Sequence, residues 1–224
     1  MRHLESDHFW FRGRRELVRR LLRRFVRPSA TILDVGAGSG FFMRDLAEEG
    51  FRTVGIDPLA EPSAARLIRG DALRLPFRRQ SFDAITILDV LEHVDDAATL
   101  REMREVLKND GIAIVTVPAS RHLWSSRDVA AGHRRRYSRR MLEEALSSSG
   151  FRPIFVTHYQ FFLFPLMIVA RTFGRNSSSM RDLEERPGAL VNGLFRTLNV
   201  WEARCAPRVR WPWGSSLVAV CGKQ

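Results

Sequence analysis

Between residues 30 and 118 the chain alternates short, apolar, β-branched runs with segments of helical periodicity, which restricts the possible fold more than any other feature. "ATILDVGA" reads as a strand and runs through glycines into the helical "FFMRDLAEEG". "FRTVGID" is a second strand, "ARLIRGD" a weaker third and "FDAITILDV" a fourth. "DAATLREMREVLKNDG" reads as a helix with Leu100, Met103, Val106 and Leu107 on one face and Gly111 near its C-terminal end, and "IAIVTVP" is a fifth strand. Strands separated by helical patterns imply right-handed βαβ units and a mainly parallel sheet covered by helices. After a polar, Arg-rich loop over residues 119–138 come the helix "RRMLEEALSSSG", a sixth strand "FRPIFVTHY" and, at the end, "SSLVAVCGK", which closes the sheet.

The 224 residues are 45% apolar and 27% charged, enough for a sizeable core and unlike a disordered chain. The net charge of +11 is unevenly spread. Residues 1–27 carry nine arginines against three acids, residues 28–120 ten basic against fifteen acidic groups, and residues 121–224 seventeen against seven. Two basic flanks around an acidic centre point to an anionic partner for the flanks. Cys205 and Cys221 have neither metal-ligand nor redox spacing and read as thiols in a reducing compartment. No signal-peptide h-region and no run of about 18–20 apolar residues is present, so the expected location is cytoplasmic.

The expected organisation is a basic helical arm at 1–28, a core at 29–158, a helical apolar and basic insertion at 159–213, and the final strand at 214–224. In the arm, Leu17, Val18, Leu21, Leu22, Phe25 and Val26 recur on one helix face of "RRELVRRLLRRFV", with arginines on the other. Such a helix either docks its stripe on the core or lies on a membrane or nucleic acid.

"LDVGAGSG" is the strongest local signal. Asp34 ends the first strand, and Gly36, Gly38 and Gly40 form a turn where a ligand can approach the main chain. The third glycine comes one residue too early for the dinucleotide fingerprint, which disfavours a nicotinamide oxidoreductase. A carboxylate at Asp34 suits a cationic ligand tail better than a pyrophosphate. Asp57, 21 residues after Gly36, stands where a carboxylate accepts from ribose hydroxyls.

Together with "GDALRLPF", "SFDAITILDVLEHV" and "LKNDGIAIVTVP", these motifs resemble the class I S-adenosylmethionine-dependent methyltransferases of the small-molecule type. The resemblance implies a Rossmann-like, doubly wound, mainly parallel seven-stranded sheet with an antiparallel final strand, and S-adenosylmethionine as cofactor. It implies that Asp34, Gly36, Ala37 and Gly38 line the methionine moiety, with Gly40 opening the next helix. Asp57 would hold the ribose, Pro58 would lie beside the adenine, Asp71 would accept from the adenine amino group and Ala72 would donate to the ring. Leu88 and Asp89 would flank the sulfonium. Only 13 residues separate Asp57 from Asp71, which leaves little room for the usual second helix. The flanking "HFWFRGRRELV" and "DVAAGHRRRYS" resemble a bacterial subgroup linked with glycan or lipid metabolism.

The acceptor is expected to be a small molecule or lipid- or glycan-linked, methylated at O or N rather than C. His133 on the polar loop, with Asp128 and Tyr137 to orient it, is the expected acid–base group. His93 has a structural alternative as a loop contact. Asp89, Glu92 and His93 with a later His133 match the ligand spacing of some metal-dependent methyltransferases, but such runs also occur in metal-free relatives, and no metal is assigned. Phe9, Trp10 and Phe11 can cap the cofactor or staple the first helix. A nucleic-acid substrate is disfavoured: no Asn/Asp-Pro-Pro-aromatic run follows the fourth strand. A non-catalytic binding role is disfavoured by the intact glycines and Asp57. The run at 161–170, interrupted by Pro165, and the arginines and tryptophans after it are expected to form an acceptor lid or an anionic-membrane contact, or else simply to cover the sheet edge or form a dimer contact.

Overall fold

The computed structural model describes residues 8–61, 66–173, 187–206 and 208–224. Seven strands form one sheet: β1 (Thr31–Val35), β2 (Arg52–Asp57), β3 (Leu67–Arg69), β4 (Phe82–Leu88), β5 (Leu107–Pro118), β6 (Phe151–Tyr159) and β7 (Ser216–Lys223). Their order is β3-β2-β1-β4-β5-β7-β6. β7 runs antiparallel to β5 and β6, and every other neighbouring pair is parallel. The chain leaves β1 toward β2 on one side and returns to β4 on the other. That reversal opens a crevice at the C-terminal ends of β1 and β4, where open α/β sheets bind ligands.

Both faces of the sheet are covered, which explains why the strands read as nearly continuous apolar runs. Leu33, Val35, Ile85 and Ile87 pack against α3 (Asp96–Val106) and α5 (Arg139–Ser148). Ile32, Ala84, Ile114 and Val218 on the opposite face pack against α1 (Phe9–Phe25) and α2 (Phe41–Glu48). The stripe of α1 is therefore core: Leu17, Val18, Leu21 and Leu22 are buried, while Arg19 and Arg23 pair with Glu49 across the surface. α1 starts at Phe9, earlier than its apolar periodicity, because the His8 side chain accepts from the Trp10 N–H (3.2 Å) and Phe9 is buried against Phe195. Gly13 sits mid-helix for a packing reason: a Cβ there would lie 2.7 Å from Asn199 Cβ of α7 (Ala189–Cys205).

Two boundaries differ from the sequence pattern. The helical reading of residues 96–111 is too long, since α3 ends at Val106 and Leu107 already pairs with Phe82 as β5. Lys108 reaches Asp83 (2.8 Å), anchoring the early start of that strand. Pro165 does not interrupt its apolar run. It occupies the first turn of α6 (Phe164–Phe173), where a missing N–H leaves no helical bond unmade. No helix among the described residues is long and apolar enough to cross a membrane.

Candidate active site

The turn after β1 is built from main chain. Gly36, Gly38 and Gly40 all have positive φ (75°, 54° and 71°). At Gly36 a Cβ would also lie 2.3 Å from Val90 Cγ2. The Gly36 and Ala37 N–H groups both donate to the Ile56 carbonyl (2.8 and 3.1 Å), which ties the turn to β2. Gly38 N–H donates to Asp57 Oδ2 (2.9 Å), and Leu59 N–H donates to Oδ1 (2.8 Å). Each oxygen of Asp57 thus has one main-chain partner and capacity left for a hydroxyl.

Asp34 is buried, and strand register places it beside Thr86, whose hydroxyl donates to Asp34 Oδ1 (2.7 Å). Burial pushes its carboxyl up to about 6, against the opposing pull of Thr86 and Arg14. Asp34, Gly36, Ala37, Gly38 and Leu88 form one wall of an open cleft of about 460 Å³, and Phe11, Arg14 and Phe41 form the other. Of the three N-terminal aromatics, Phe11 faces this cleft and Phe9 packs on α7.

Asp89 directly follows β4 and is tightly held. Its backbone is left-handed (φ 56°), its N–H donates to the Thr116 carbonyl (3.0 Å), and both oxygens have side-chain partners. Arg14 Nη1 donates to Oδ2 (2.5 Å) and the Thr116 hydroxyl to Oδ1 (3.0 Å). Pro58, Asp71 and Ala72 lie on the β2–β3 side, outside the cleft wall. The Pro58 carbonyl accepts from Arg69 Nε (3.2 Å), Asp71 Oδ1 from Leu73 N–H (2.9 Å), and Ala72 belongs to the core.

A second cluster occupies the loops after β4 and β5. His133 Nδ1 lies 3.0 Å from Asp128 Oδ1, and its ring meets His93 edge-on at 4.8 Å. Asp128 is buried at the start of α4 (Ser126–Ala130), where it accepts from Ser125 N–H (2.9 Å) and Arg136 Nε (2.7 Å). Burial alone would raise its carboxyl; bonds to His133 and Arg136 reverse this and hold it well below the usual range. Burial, then the charge of Asp89, pushes Glu92 up to about 9. Burial and the neighbouring His133 lower His93. The Tyr137 hydroxyl is engaged by Asp96 and Leu91 and not by the His133 imidazole it was expected to orient. The residue is 1% exposed, its hydroxyl lies against Asp96 Oδ2 (2.9 Å) and the Leu91 carbonyl (3.3 Å), and burial beside Asp96 raises the phenol far above its ordinary value. It is a strut beneath the loop.

Sequence reasoning missed the supports. Thr86 and Thr116 interrupt otherwise apolar strands, and a buried polar residue in a doubly covered strand signals a hydrogen-bond partner at its C-terminal end. The Arg14–Asp89 pair left no local trace.

A family model described as a methyltransferase domain matches residues 8–155. The demethylmenaquinone methyltransferase of Mycolicibacterium vanbaalenii is 37% identical over 119 residues, 50% of this chain and 50% of that protein. The chain thus spans about half the length of the curated relatives it matches. Among solved structures, the methyltransferase complexed with the Haloferax volcanii Trm112 methyltransferase activator superposes with a TM-score of 0.62 at 20% identity, covering 99% of this chain and 92% of that one. The Burkholderia thailandensis 1,6-didemethyltoxoflavin-N1-methyltransferase, solved with its didemethyltoxoflavin and S-adenosylhomocysteine, gives 0.58 at 19% identity, covering 95% and 78%. Sheet order, reversed last strand and glycine turn define a Rossmann-like class I methyltransferase fold. The chain belongs to the methyltransferase-domain family; S-adenosylmethionine is the cofactor that the sequence resemblance implies. The donor set fits that group: a buried carboxylate at Asp34 for a cationic tail, a main-chain floor, and remaining acceptor capacity on Asp57.

Proposed function

We propose that the protein transfers a methyl group to oxygen or nitrogen of a small, amphipathic acceptor. The observation that carries this is the cluster of Asp128 and His133 after β5, beside the β4 loop and away from the glycine turn. The cofactor supplies an electrophilic methyl on a sulfonium. The turn at residues 34–40 and Asp57 hold it by main chain and carboxylate, and Arg14 fixes Asp89 and the Leu88 carbonyl (3.3 Å) between the two regions. Asp128 holds His133 through Nδ1 and leaves Nε2, 4.0 Å from Glu92 Oε1, to take a proton from a hydroxyl or amine.

The amphipathic character of the acceptor is supported by α6 and α7. Leu166, Val169, Leu190, Leu194 and Trp201 are exposed there, and Phe161 stacks on Trp211 and Trp213 (4.7 and 5.1 Å). Arg204 and Arg210 lie in the same stretch, so the surface suits a lipid-linked acceptor or an anionic bilayer. Incubation with methyl-tritiated S-adenosylmethionine and a bacterial lipid extract should move label into the organic phase. Label appearing only in aqueous small molecules would remove the lipid part, and failure to bind S-adenosylmethionine in calorimetry would remove the whole reading. Flotation with anionic liposomes at low salt, reversed at high salt, is the expected result for the bilayer contact.

A further inference from the structure

Glu92 is 1% exposed and neither of its carboxylate oxygens has a hydrogen-bond partner. A buried polar group left in this condition calls for a ligand or an explanation. Its Oε1 lies 4.0 Å from His133 Nε2. One donor atom each from Glu92, His93 and His133 lie within 4.8 Å of one another.

The two imidazoles are held from behind. His133 Nδ1 lies 3.0 Å from the Asp128 carboxylate. His93 Nδ1 contacts the Gly132 carbonyl at 3.3 Å. A carboxylate and a carbonyl can only accept, so each Nδ1 carries the proton and each neutral ring presents a bare lone pair at Nε2. Outer partners of this kind fix the tautomer of metal-ligating histidines. Asp89 is not part of the set, because Arg14 and Thr116 engage its oxygens.

We propose that Glu92, His93 and His133 form a binding site for a divalent transition-metal ion of the zinc type. Two imidazole nitrogens and one carboxylate oxygen are a donor set zinc accepts with a fourth position open, whereas magnesium and calcium prefer oxygen ligands. Ligand bonds of about 2.0–2.2 Å are reached by drawing the three side chains inward. The open position would take the oxygen of the acceptor. With metal bound, His133 would be a ligand and not a base; the metal would lower the pKa of that oxygen, and its proton would pass to solvent. This last link rests on the methyltransferase reading; metal binding itself does not.

The test is titration of chelator-stripped full-length protein with Zn²⁺ against a chromophoric competitor, and with Co²⁺ followed by visible absorption. One ion per chain and the intense visible bands of four-coordinate Co²⁺ are expected. His93→Ala, at a half-exposed residue, and Glu92→Gln should weaken binding by more than the ~10–100-fold that Asp128→Asn costs as an outer partner. His122→Ala, at an exposed histidine outside the cluster, should leave it unchanged. Far-ultraviolet circular dichroism and S-adenosylmethionine affinity of each variant report folding, and His93→Ala keeps the test valid if Glu92→Gln does not fold. Absence of stoichiometric binding, or wild-type binding in His93→Ala and His133→Ala, overturns the site. Zinc binding without any S-adenosylmethionine binding would leave the metal site standing and overturn the methyltransferase reading instead.

Discussion

The glycine turn after β1 and the histidine loop after β5 face the same end of the sheet, but the first is made of main chain and the second of side chains. In the turn, Gly36, Ala37 and Gly38 place their N–H groups against β2, and Asp34 and Asp57 are the principal charged components. In the loop, Asp128 and Arg136 are buried charges, and Arg136 spends Nη1 on the Ala119 carbonyl (2.9 Å) as well as Nε on Asp128. A site of main chain carries its own support and can be short in sequence. One of buried charged side chains depends on every partner being present.

That contrast is broken most directly at Arg136. Arg136→Ala leaves the Asp128 carboxylate buried without its arginine partner, and removing one member of a buried pair costs about 3–5 kcal/mol. Urea unfolding should show that loss of stability, while the fraction still folded binds S-adenosylmethionine as the wild type does. A change below about 1 kcal/mol would mean that the loop is supported as the turn is.

The turn has one charged cost of its own, and it responds to pH. Asp34 has a folded pKa of about 6, raised above its ordinary 3.8 by burial. Stability from this group is fully present below the unfolded pKa and is lost as pH rises through about 6. Asp34→Asn should therefore stabilise the cofactor-free protein at pH 7 by up to about 3 kcal/mol and flatten its stability between pH 4 and 7. The same variant should bind S-adenosylmethionine poorly. Wild-type affinity should fall by about tenfold per pH unit below 6, as the carboxylate is neutralised. Equal pH profiles for the two proteins would show that Asp34 meets no cationic part of the cofactor.

How much was legible in the sequence follows the same division. The seven strands, the turn, Asp34 and Asp57 could all be read because each is signalled within a few residues: a β-branched run, a glycine, an acid at a strand end. The α3–β5 boundary could not, since residues 107–111 carry no strand signal of their own, and only Leu107 among them pairs with β4, at Phe82, before the register shifts and pairing resumes at Ile112. Arg14 and Asp89 meet across 75 positions, and Phe9 N–H meets Asn192 Oδ1 (2.9 Å) across 183. No periodicity links residues so far apart. Tyr137 looked like part of a polar loop, yet its ring enters the core because its backbone bridges to Ala119 beside β5.

Asp57 tests whether the turn works as a unit. Asp57→Ala removes the proposed ribose acceptor and also the Gly38 N–H partner, and should weaken S-adenosylmethionine binding by about 1.5–3 kcal/mol in calorimetry. Asp57→Asn keeps one acceptor oxygen and should recover part of this. Equal losses in the two variants would place the effect in the turn's shape and not in the ribose contact.

The smallest expected effect on cofactor binding is at His133, and it separates the two regions most cleanly. The imidazole is absent from the cleft wall and its partners are Asp128 and the Glu92–His93 pair. His133→Ala should leave S-adenosylmethionine affinity within about twofold, since a group that acts on the acceptor in the transition state need not contribute to ground-state cofactor binding. Turnover at saturating cofactor should fall. Loss of cofactor affinity with turnover retained would show that the histidine loop belongs to the cofactor half, and that the acceptor must be sought along α6 and α7, where the exposed apolar side chains are.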